Sequence, residues 1–259
     1  MYPLLRYGDR MPTVAVVQIL VNRKMQKGSY IGVDGIYGRN TREAIRDFQR
    51  LHTLGRDGVV GENTWRKLTE GENLLVIDSV DATNPKDMGY EDEAIRDAGG
   101  SPIVNFGMCN GIKVVTQRIQ IRADMGNVVL LRFHGHGAPG VMGVTAGTDT
   151  EISSEFGVTF LDSLARYLGR LSWIFSSFGS AELHGCRVGA GRDGRRLVTA
   201  LAKAWGVPVT AGIRTQYGGG SSTFRFEGPT FTAFPGQSDL KAWARALPVP
   251  EVHGMSVSR

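Results

Sequence analysis

The stretch Asp34-Gly35-Ile36-Tyr37-Gly38-Arg39-Asn40-Thr41 decides the fold of the first part of this chain, because it returns as Asp57-Gly58-Val59-Val60-Gly61-Glu62-Asn63-Thr64. Both copies read Asp-Gly-x-x-Gly-x-Asn-Thr, and each leads into apolar residues at helical spacing. Asp-Gly is typical of a tight turn in which the glycine takes a positive φ angle. Thr41 and Thr64 are predicted N-caps, because a threonine hydroxyl can accept a bond from a free N–H at a helix start.

A further helix is predicted before the two repeats. Its apolar residues Val14, Val17, Leu20 and Val21 recur at helical spacing, and Gln18 lies beside them. Three short helices joined by glycine turns are therefore expected to form one small all-α bundle over residues 1–71.

This bundle resembles a known family in the order of its motifs. A helix with Val17-Gln18-x-Leu20 precedes the first repeat, which continues as Ala44-Ile45-x-x-Phe48-Gln49, and the second repeat continues as Trp65-x-x-Leu68. The order closely resembles the peptidoglycan-binding-like three-helix domain. Because the matching positions are mostly turn and core residues, the resemblance implies the fold directly and a cell-wall ligand less directly.

The net charge of the chain, +5, lies entirely on residues 1–71, which hold twelve Lys/Arg against seven Asp/Glu. A basic surface suits an anionic polymer, so we expect this segment to bind peptidoglycan or another anionic cell-wall polymer. The alternative is that the surplus charge serves solubility alone. Nucleic acid is not an expected partner, because no nucleic-acid module and no dense Lys/Arg run accompanies the charge.

Length and composition set further bounds. A chain of 259 residues accommodates the small bundle and one further domain of ordinary size. No run of about 18 apolar residues occurs, so no membrane span is expected. The first residues show no basic region followed by an apolar core, so no secretory signal is visible. Because the bundle resembles a cell-wall-binding domain, we expect a protein of the cell envelope that is periplasmic or secreted by a route without a visible signal peptide. The cytoplasm stays open as an alternative.

From Leu74 onward, apolar strands alternate with helical patterns. This alternation predicts an α/β sandwich with a mainly parallel sheet, covered on both faces, over residues 74–247. Residues 213–236 differ and are predicted to form an edge hairpin, and the tail 248–259 is predicted to be mobile. The predicted strands include residues 74–78, 127–133, 181–184 and 207–211, and the predicted helices include 112–124, 160–173, 194–205 and 239–247.

Two of these strands end in residues that carry chemistry. The strand over 128–133 runs into His136-Gly137, and the strand over 181–184 runs into Gly185-Cys186. Reacting groups of open parallel sheets gather at the carboxyl ends of strands. A thiol needs a base to become a nucleophile at neutral pH, and neighbouring glycines let N–H groups approach a developing oxyanion. The sequence therefore predicts a His136/Cys186 dyad.

This pair resembles the caspase-like cysteine peptidases, which include legumains, metacaspases and separases. In that group an apolar strand ends in His-Gly and a later one ends in Cys. Residues 135–140 look like the legumain branch, and residues 183–191 look closer to an uncharacterised caspase-like domain of large bacterial adhesins. The resemblance implies a cysteine endopeptidase in which His136 is general base and acid and Cys186 is the nucleophile. No cofactor and no metal-binding site are predicted, and metal dependence stays open. The amides of Gly137 and Cys186 would form the oxyanion hole.

Some positions leave alternatives open. Members that cleave after basic residues commonly carry Asp two residues before the nucleophile, whereas this chain has His184 there, so a preference for Arg or Lys is not implied. His134 competes with His136 as the base, although the flanking glycines favour His136. Cys186 has the alternative role of a small buried hydrophobe, and Cys109 is interpreted as such a residue.

Two functions from different classes follow. The first is a cysteine peptidase that its N-terminal module tethers to the cell envelope, and that cleaves protein substrates or itself. Hydrolysis of peptidoglycan peptides is a variant of this function without specific support in the dyad. The second is a non-catalytic wall-binding or delivery protein with an inactive caspase-like scaffold. The presence of both His136 and Cys186 next to glycines favours the enzyme.

Overall fold

The chain divides into two units, one helical and one α/β. The helical unit comprises Tyr2–Asn73 together with the segment that begins at Gln237, and the α/β unit comprises Leu74–Gly236. Cys109, most of the helix predicted over 160–173, and the tail beyond residue 248 lie outside the described part of the chain. The computed structural model describes residues 2–25, 30–82, 85–105, 111–145, 155–157, 167–219 and 223–248.

The helical unit is built on the two predicted glycine turns. Helix α1 spans Pro12–Lys24, α2 spans Arg39–Leu51 and α3 spans Glu62–Leu68. Gly35 and Gly58 take φ angles of +71° and +70°, as the Asp-Gly turns require. The predicted helical N-terminal region is therefore confirmed.

Gln18 of α1 holds the first turn from inside. Its Oε1 accepts the N–H groups of Asp34 and Gly35, both at 2.9 Å. Its Nε2 donates to the Asp34 carboxylate, to the Ile36 carbonyl and to the Thr41 hydroxyl. One buried amide thus satisfies the donors and acceptors that the turn exposes inward.

Gln49 of α2 holds the second turn in the same way. Its Oε1 accepts the N–H of Gly58 at 2.9 Å. Its Nε2 donates to the Asp57 carboxylate, the Val59 carbonyl and the Thr64 hydroxyl. The sequence repeat therefore corresponds to a repeated hydrogen-bond network around Gln18 and Gln49, here called the glutamine network.

The prediction that Thr41 and Thr64 are N-caps is wrong. Gly38 and Gly61 occupy the N-cap positions, and neither helix has a side-chain cap. Both threonines lie one turn further along the chain, where they are buried. Their hydroxyls accept from the glutamines and donate to carbonyls of the preceding turns, so they are not available to the helix start.

The C-terminal helix, Leu240–Ala246, exists as predicted but belongs to the helical unit, so the assignment of residues 74–247 to the second domain is wrong at this end. Asp239 caps the helix by accepting the N–H of Ala242 at 2.9 Å. A Cβ on Gly35 would lie 2.6 Å from Cδ1 of Leu240, so the helix packs against the bare glycine turn. An amphipathic pattern predicts a helix but does not say which unit its apolar face covers.

A six-stranded sheet forms the centre of the α/β unit, in the order β2-β1-β3-β7-β8-β9. All neighbours pair in parallel except β9, which is antiparallel to β8. The predicted mainly parallel sheet is confirmed. The strands are β1 Leu75–Asp81, β2 Ile103–Asn105, β3 Val128–His134, β4 Gly137–Ala138, β5 Val141–Gly143, β6 Glu155–Gly157, β7 Phe175–His184, β8 Val209–Gly212 and β9 Thr230–Ala233.

Helices and a small second sheet complete the unit. Strands β4, β5 and β6 form the second sheet and pair antiparallel. The described helices of the unit are α4 Pro85–Asp97, α5 Gly111–Arg122, α6 Gly191–Trp205 and the 3₁₀ helix Gly169–Ile174. In the described part of the chain, no helix combines the length and apolarity needed to cross a membrane.

The two faces of the central sheet differ in chemistry. One face packs with α5 and α6 in a continuous apolar core that includes Ile77, Phe133 and Leu183. Side chains of successive residues point to opposite faces of a strand, so the residues between these apolar ones lie on the other face. There Arg132 pairs in register with Asp78 and Glu182, and all three are buried.

The predicted edge hairpin over residues 213–236 is wrong in its first arm. Of the residues described in this range, 213–219 and 223–236, only β9, Thr230–Ala233, forms a strand, and it pairs with β8. Phe224 and Phe226 do not belong to a strand. Their rings instead contact buried charged side chains, since Phe226 stacks on His184 and Arg132 lies over the Phe224 ring.

Candidate functional site

The central strands β3 and β7 end side by side at the carboxyl edge of the sheet. They pair in parallel up to His134 opposite His184, an offset of fifty residues. His136 and Cys186 follow two residues later on each chain segment and keep that offset. The structure therefore brings together the two segments that carry the predicted dyad, at the edge where open parallel sheets present their reacting groups.

Gly137 joins these segments by close approach of its backbone to Cys186. A Cβ on Gly137 would lie 3.0 Å from the Cys186 nitrogen and 2.5 Å from Cγ2 of Val188, so glycine alone fits there. His136 is exposed and Cys186 is half-buried. Both residues of the predicted dyad are thus reached from solvent.

Hydrogen bonds fix the thiol and the backbone that follows it. The Cys186 thiol donates to the carbonyl of Gln216 at 3.2 Å. The next residue, Arg187, has a left-handed φ of +59°, a conformation that costs a non-glycine residue about 1 kcal/mol. Its N–H donates to the Arg214 carbonyl at 3.0 Å, which holds the turn after the cysteine.

His134, the alternative base, occupies a different environment. It is only 1 % exposed. Its Nε2 lies 3.1 Å from Oδ1 of Asp78, and its Nδ1 lies 3.7 Å from Oε2 of Glu91. Its ring stacks on that of His184, with centroids 5.1 Å apart. Carboxylates face both ring nitrogens of His134 inside the unit, whereas His136 lies at the surface.

His134 belongs to a group of buried ionisable side chains on one face of the sheet. Arg132, which is fully buried, lies at its centre and donates to Asp78 at 2.8 Å and to Glu182 at 3.3 Å. Oε2 of Glu182 also lies 2.9 Å from Nε2 of His184. We call this group the buried charge cluster, and its members are Asp78, Glu91, Arg132, His134, Glu182 and His184.

The cluster shifts the pKa values of its members. Burial raises the pKa of Asp78, but Arg132 and His134 outweigh it and hold that pKa far below its ordinary value. Burial likewise raises the pKa of Glu182, and the hydrogen bond from His184 with the charge of Arg132 lowers it overall. Burial lowers the pKa of His184 although Glu182 opposes the shift. At neutral pH both carboxylates are therefore charged and His184 is neutral.

Two phenylalanines cover the cluster. Phe226 stacks on His184 with centroids 4.3 Å apart, and the Arg132 guanidinium lies 5.5 Å from the centre of the Phe224 ring. The sequence prediction missed this cluster. Its signal was the alternation Leu131-Arg132-Phe133-His134, which matches Ala181-Glu182-Leu183-His184. Among the residues that the structure describes, no three His, Cys, Asp or Glu side chains are grouped to hold a metal ion.

The helical unit carries a basic rim beside its first glycine turn. Arg10 bridges to Ile36, and the N–H of Gly8 donates to the Tyr37 carbonyl, which brings the N-terminal segment against the turn. The arginines there are exposed and form no ion pair within the described ranges, and Tyr7 is 62 % exposed. We call these residues the basic rim, and they are Arg6, Tyr7, Arg10 and Arg39.

Comparison with known proteins identifies the N-terminal part of the chain. Residues 12–68 match the family described as "Putative peptidoglycan binding domain". This match confirms the resemblance that the glycine-turn repeats carried. No curated protein matches the chain at significant similarity.

Three solved structures show local similarity. The N-terminal domain of SleB is 29 % identical, and the match covers 27 % of this chain and 94 % of that chain with a TM-score of 0.25. A peptidoglycan-binding protein from Clostridioides difficile, in complex with glutamine hydroxamate, is 32 % identical over 25 % of this chain and 39 % of that chain, with a TM-score of 0.23.

The third structure is the Burkholderia AP3 phage endolysin, which is 22 % identical over 55 % of this chain and 45 % of that chain, with a TM-score of 0.25. The chain therefore spans less than half the length of the last two proteins. The family match, rather than these structures, supports the assignment of the N-terminal domain.

Proposed function

We propose that this chain is a cysteine peptidase of caspase-like type, held at the cell envelope by its peptidoglycan-binding domain. The observation that carries the catalytic half is the position of His136, Gly137 and Cys186. They follow the ends of adjacent central strands, and the Gly137 backbone lies against Cys186. A nucleophile, a base and amide donors at one sheet edge are the parts that acyl transfer needs.

The proposed reaction begins at the Cys186 sulfur. The sulfur forms a bond to the carbonyl carbon of the substrate peptide while His136 accepts the thiol proton, and the carbonyl electron pair moves to oxygen. The N–H groups of Gly137 and Cys186 would donate to that oxygen. The peptide C–N bond then breaks, and the leaving nitrogen takes the proton from His136. Water then attacks the thioester carbon while His136 takes its proton, the C–S bond breaks, the sulfur recovers the proton from His136, and the carboxylic acid product leaves.

Burial favours His136 over His134 as the base. His134 lies between two carboxylates and is almost inaccessible, whereas His136 is exposed. A base that exchanges protons with substrate and water needs access to both. The role that the resemblance implies for His136 is therefore the one we propose.

For the N-terminal domain we propose binding to an anionic cell-wall polymer through the basic rim. The family match covers this domain, and the chain's whole net charge lies on residues 1–71. Arginine can bind a carboxylate or a phosphate through two parallel N–H bonds, and an exposed tyrosine ring can lie against a sugar. This location at the wall would supply the peptidase with protein substrates of the envelope, or with wall peptides.

A second candidate is a wall-binding or delivery protein without catalysis. The family match favours it, because the match covers residues 12–68 and leaves the α/β unit unassigned. The two candidates share the wall contact and differ in whether Cys186 reacts.

The catalytic proposal is tested by thiol labelling and by cleavage of a protein substrate. We expect iodoacetamide to label Cys186, located by peptide mass mapping, and wild type to cleave an unfolded protein such as casein. His136→Ala should reduce cleavage by about 10²–10⁴-fold, the usual loss for a general base. The control His52→Ala removes a histidine from the helical unit and should cleave normally. Labelling at Cys109 instead, or equal cleavage by His136→Ala, would show that the dyad is not catalytic.

The wall-binding proposal is tested on the full chain, because the C-terminal helix belongs to the helical unit and a fragment of residues 1–71 would lack it. We expect the chain to sediment with purified cell wall and to be released by salt, which screens exposed charges. The triple variant Arg6→Glu, Arg10→Glu and Arg39→Glu should stay in solution. A control with the same net charge, Arg50→Glu, Arg56→Glu and Arg66→Glu, should still sediment, and equal loss in both would contradict the basic rim as the contact.

A further inference from the structure

The segment Ile213–Gly219, which we call the strap, contacts the candidate nucleophile. Its Gln216 carbonyl accepts the hydrogen bond of the Cys186 thiol at 3.2 Å. The N–H of Glu227 donates to the Gln216 side chain at 2.9 Å, and the Tyr217 N–H donates to the Glu227 carboxylate. The thiol is therefore hydrogen-bonded to the strap, and the strap is itself held by Glu227.

Helix α4 anchors the other end of the strap. The N–H of Gly219 donates to Oε1 of Glu91 at 3.2 Å, and the Tyr90 hydroxyl donates to the Tyr217 carbonyl at 3.2 Å. A Cβ on Gly218 would lie 2.1 Å from the same Glu91 oxygen, so the glycine backbone lies directly on the carboxylate. Glu91 is thus a fixed point for the strap.

The second oxygen of Glu91 faces the buried charge cluster. Oε2 of Glu91 lies 3.7 Å from Nδ1 of His134, and neither atom has a hydrogen-bond partner in the described part of the chain. Glu91 and His134 are 5 % and 1 % exposed. Two buried, unsatisfied polar atoms that face each other cost about 1–3 kcal/mol each. Such an arrangement needs a physical explanation.

A single proton explains it. A neutral His134 that donates from Nε2 to Asp78 presents the Nδ1 lone pair to a carboxylate, so two acceptors face each other. A protonated His134 donates in both directions and satisfies both atoms. The carboxylates of Asp78 and Glu91 face its two ring nitrogens. His184, stacked on His134, is kept neutral by burial and adds no repulsion.

We propose that Glu91 is a positioning residue that couples protonation of His134 to the strap over Cys186. When His134 takes up a proton, Glu91 moves toward it and loosens its bond to Gly219, so the strap releases the thiol in mildly acidic solution. This inference rests on the proposed function, since it treats Cys186 as the reacting thiol. The charged and titratable groups that face His134 are Asp78 from β1, Arg132 from β3, Glu182 and His184 from β7, and Glu91 from α4.

The test measures the reaction of Cys186 with 2,2′-dithiodipyridine, which reacts with thiols in acidic as well as neutral solution, in a full chain with Cys109→Ser. Rates are divided by those of free cysteine at each pH between 5 and 7.5. In the protein with an unchanged buried charge cluster, we expect the normalised labelling rate of Cys186 to rise on acidification by about twofold to tenfold. This is the range that the net free energy of one hydrogen bond allows.

Glu91→Gln should abolish this pH dependence, because a glutamine amide donates to neutral His134 and its oxygen still accepts from Gly219. The matched control Glu93→Gln, on the exposed side of the same helix, should follow the wild-type profile. Tyr90→Phe removes the other anchor and should raise the rate at every pH while keeping the step. Equal pH profiles for wild type and Glu91→Gln would overturn the proposal.

If Glu91→Gln does not fold, His134→Gln replaces it in the same measurement, since it also removes the titrating ring. A flat profile for His134→Gln supports the coupling, and a retained step overturns it. Because the measurement reports thiol accessibility and not peptide cleavage, its outcome is independent of whether the proposed peptidase function holds. A step that depends on Glu91 in a chain that cleaves no peptide would retain the strap mechanism and reject the peptidase.

Discussion

Both units bury polar side chains, but they differ in how completely those side chains are paired. In the helical unit, neutral amides of Gln18 and Gln49 meet carbonyls, N–H groups and hydroxyls, and no polar atom of either amide is left without a partner. In the α/β unit, the buried charge cluster concentrates ions, and among the residues that the structure describes Nδ1 of His134 and Oε2 of Glu91 have no hydrogen-bond partner. A fully satisfied neutral network stabilises a fold, whereas a partly satisfied ionic one responds to protons.

The largest expected effect comes from removing the cation of the buried charge cluster. Arg132→Met leaves Asp78 and Glu182 buried without their shared partner, and breaking a buried ion pair in this way costs about 3–5 kcal/mol. We expect the α/β transition in urea to shift by that amount while the helical transition stays in place. Arg196→Met on the exposed face of α6 is the control and should change stability by less than about 0.5 kcal/mol.

An Arg132→Met variant as stable as its control would show that the cluster's ions are solvated or paired otherwise. The two units would then differ in how their buried side chains pack and not in whether those side chains are ionic or neutral.

A smaller effect is expected in the glutamine network. Gln49→Ala removes three donated bonds and one accepted bond, and it leaves the Gly58 N–H unsatisfied, so we expect a loss of about 2–3 kcal/mol confined to the helical unit. Asn40→Ala, exposed in the first turn of α2, is the control. If Gln49→Ala unfolds both units together, the network does not belong to the helical unit alone.

Sequence reasoning recovered this network only in part, and the reason is physical. Short-range turn chemistry is local, so the Asp-Gly repeats predicted the two turns and the positive φ of Gly35 and Gly58 correctly. The partners of Thr41 and Thr64 come from other helices, since Gln18 and Gln49 lie 23 and 15 residues before them. A cap prediction that considers only neighbouring residues therefore assigned the hydroxyls to the wrong partner.

The candidate site shows the same limit. Apolar strands followed by His-Gly and Cys predicted which segments meet at the sheet edge, because parallel strands align their carboxyl ends. The charged face was missed, because Arg132 and Glu182 lie in strands that were interpreted as continuously apolar. A count of alternating residues would have found it, since both strands read apolar-charged-apolar-His. Glu91 carries no such pattern, and only its contacts in three dimensions reveal it.

The smallest effect, and the sharpest distinction between the networks, is expected from pH through His184. Burial lowers the pKa of His184 in the folded state, while the unfolded value is about 6.5. Below that pH the unfolded chain takes up a proton that the folded chain does not, so His184 destabilises the fold as the solution becomes more acidic. The slope is at most about 1.4 kcal/mol per pH unit for one group.

The effect of His184 is isolated by difference, so that the contributions of other titratable groups cancel. In the wild type, Nε2 of His184 lies 2.9 Å from Oε2 of Glu182. His184→Gln keeps a hydrogen-bond donor for Glu182 but cannot titrate. Between pH 7.5 and 5.5 we therefore expect wild type to lose about 1 kcal/mol relative to His184→Gln in urea unfolding of the α/β unit. The helical transition should not differ between the two proteins. A difference independent of pH would mean that His184 contributes by packing against Phe226 and not through its charge.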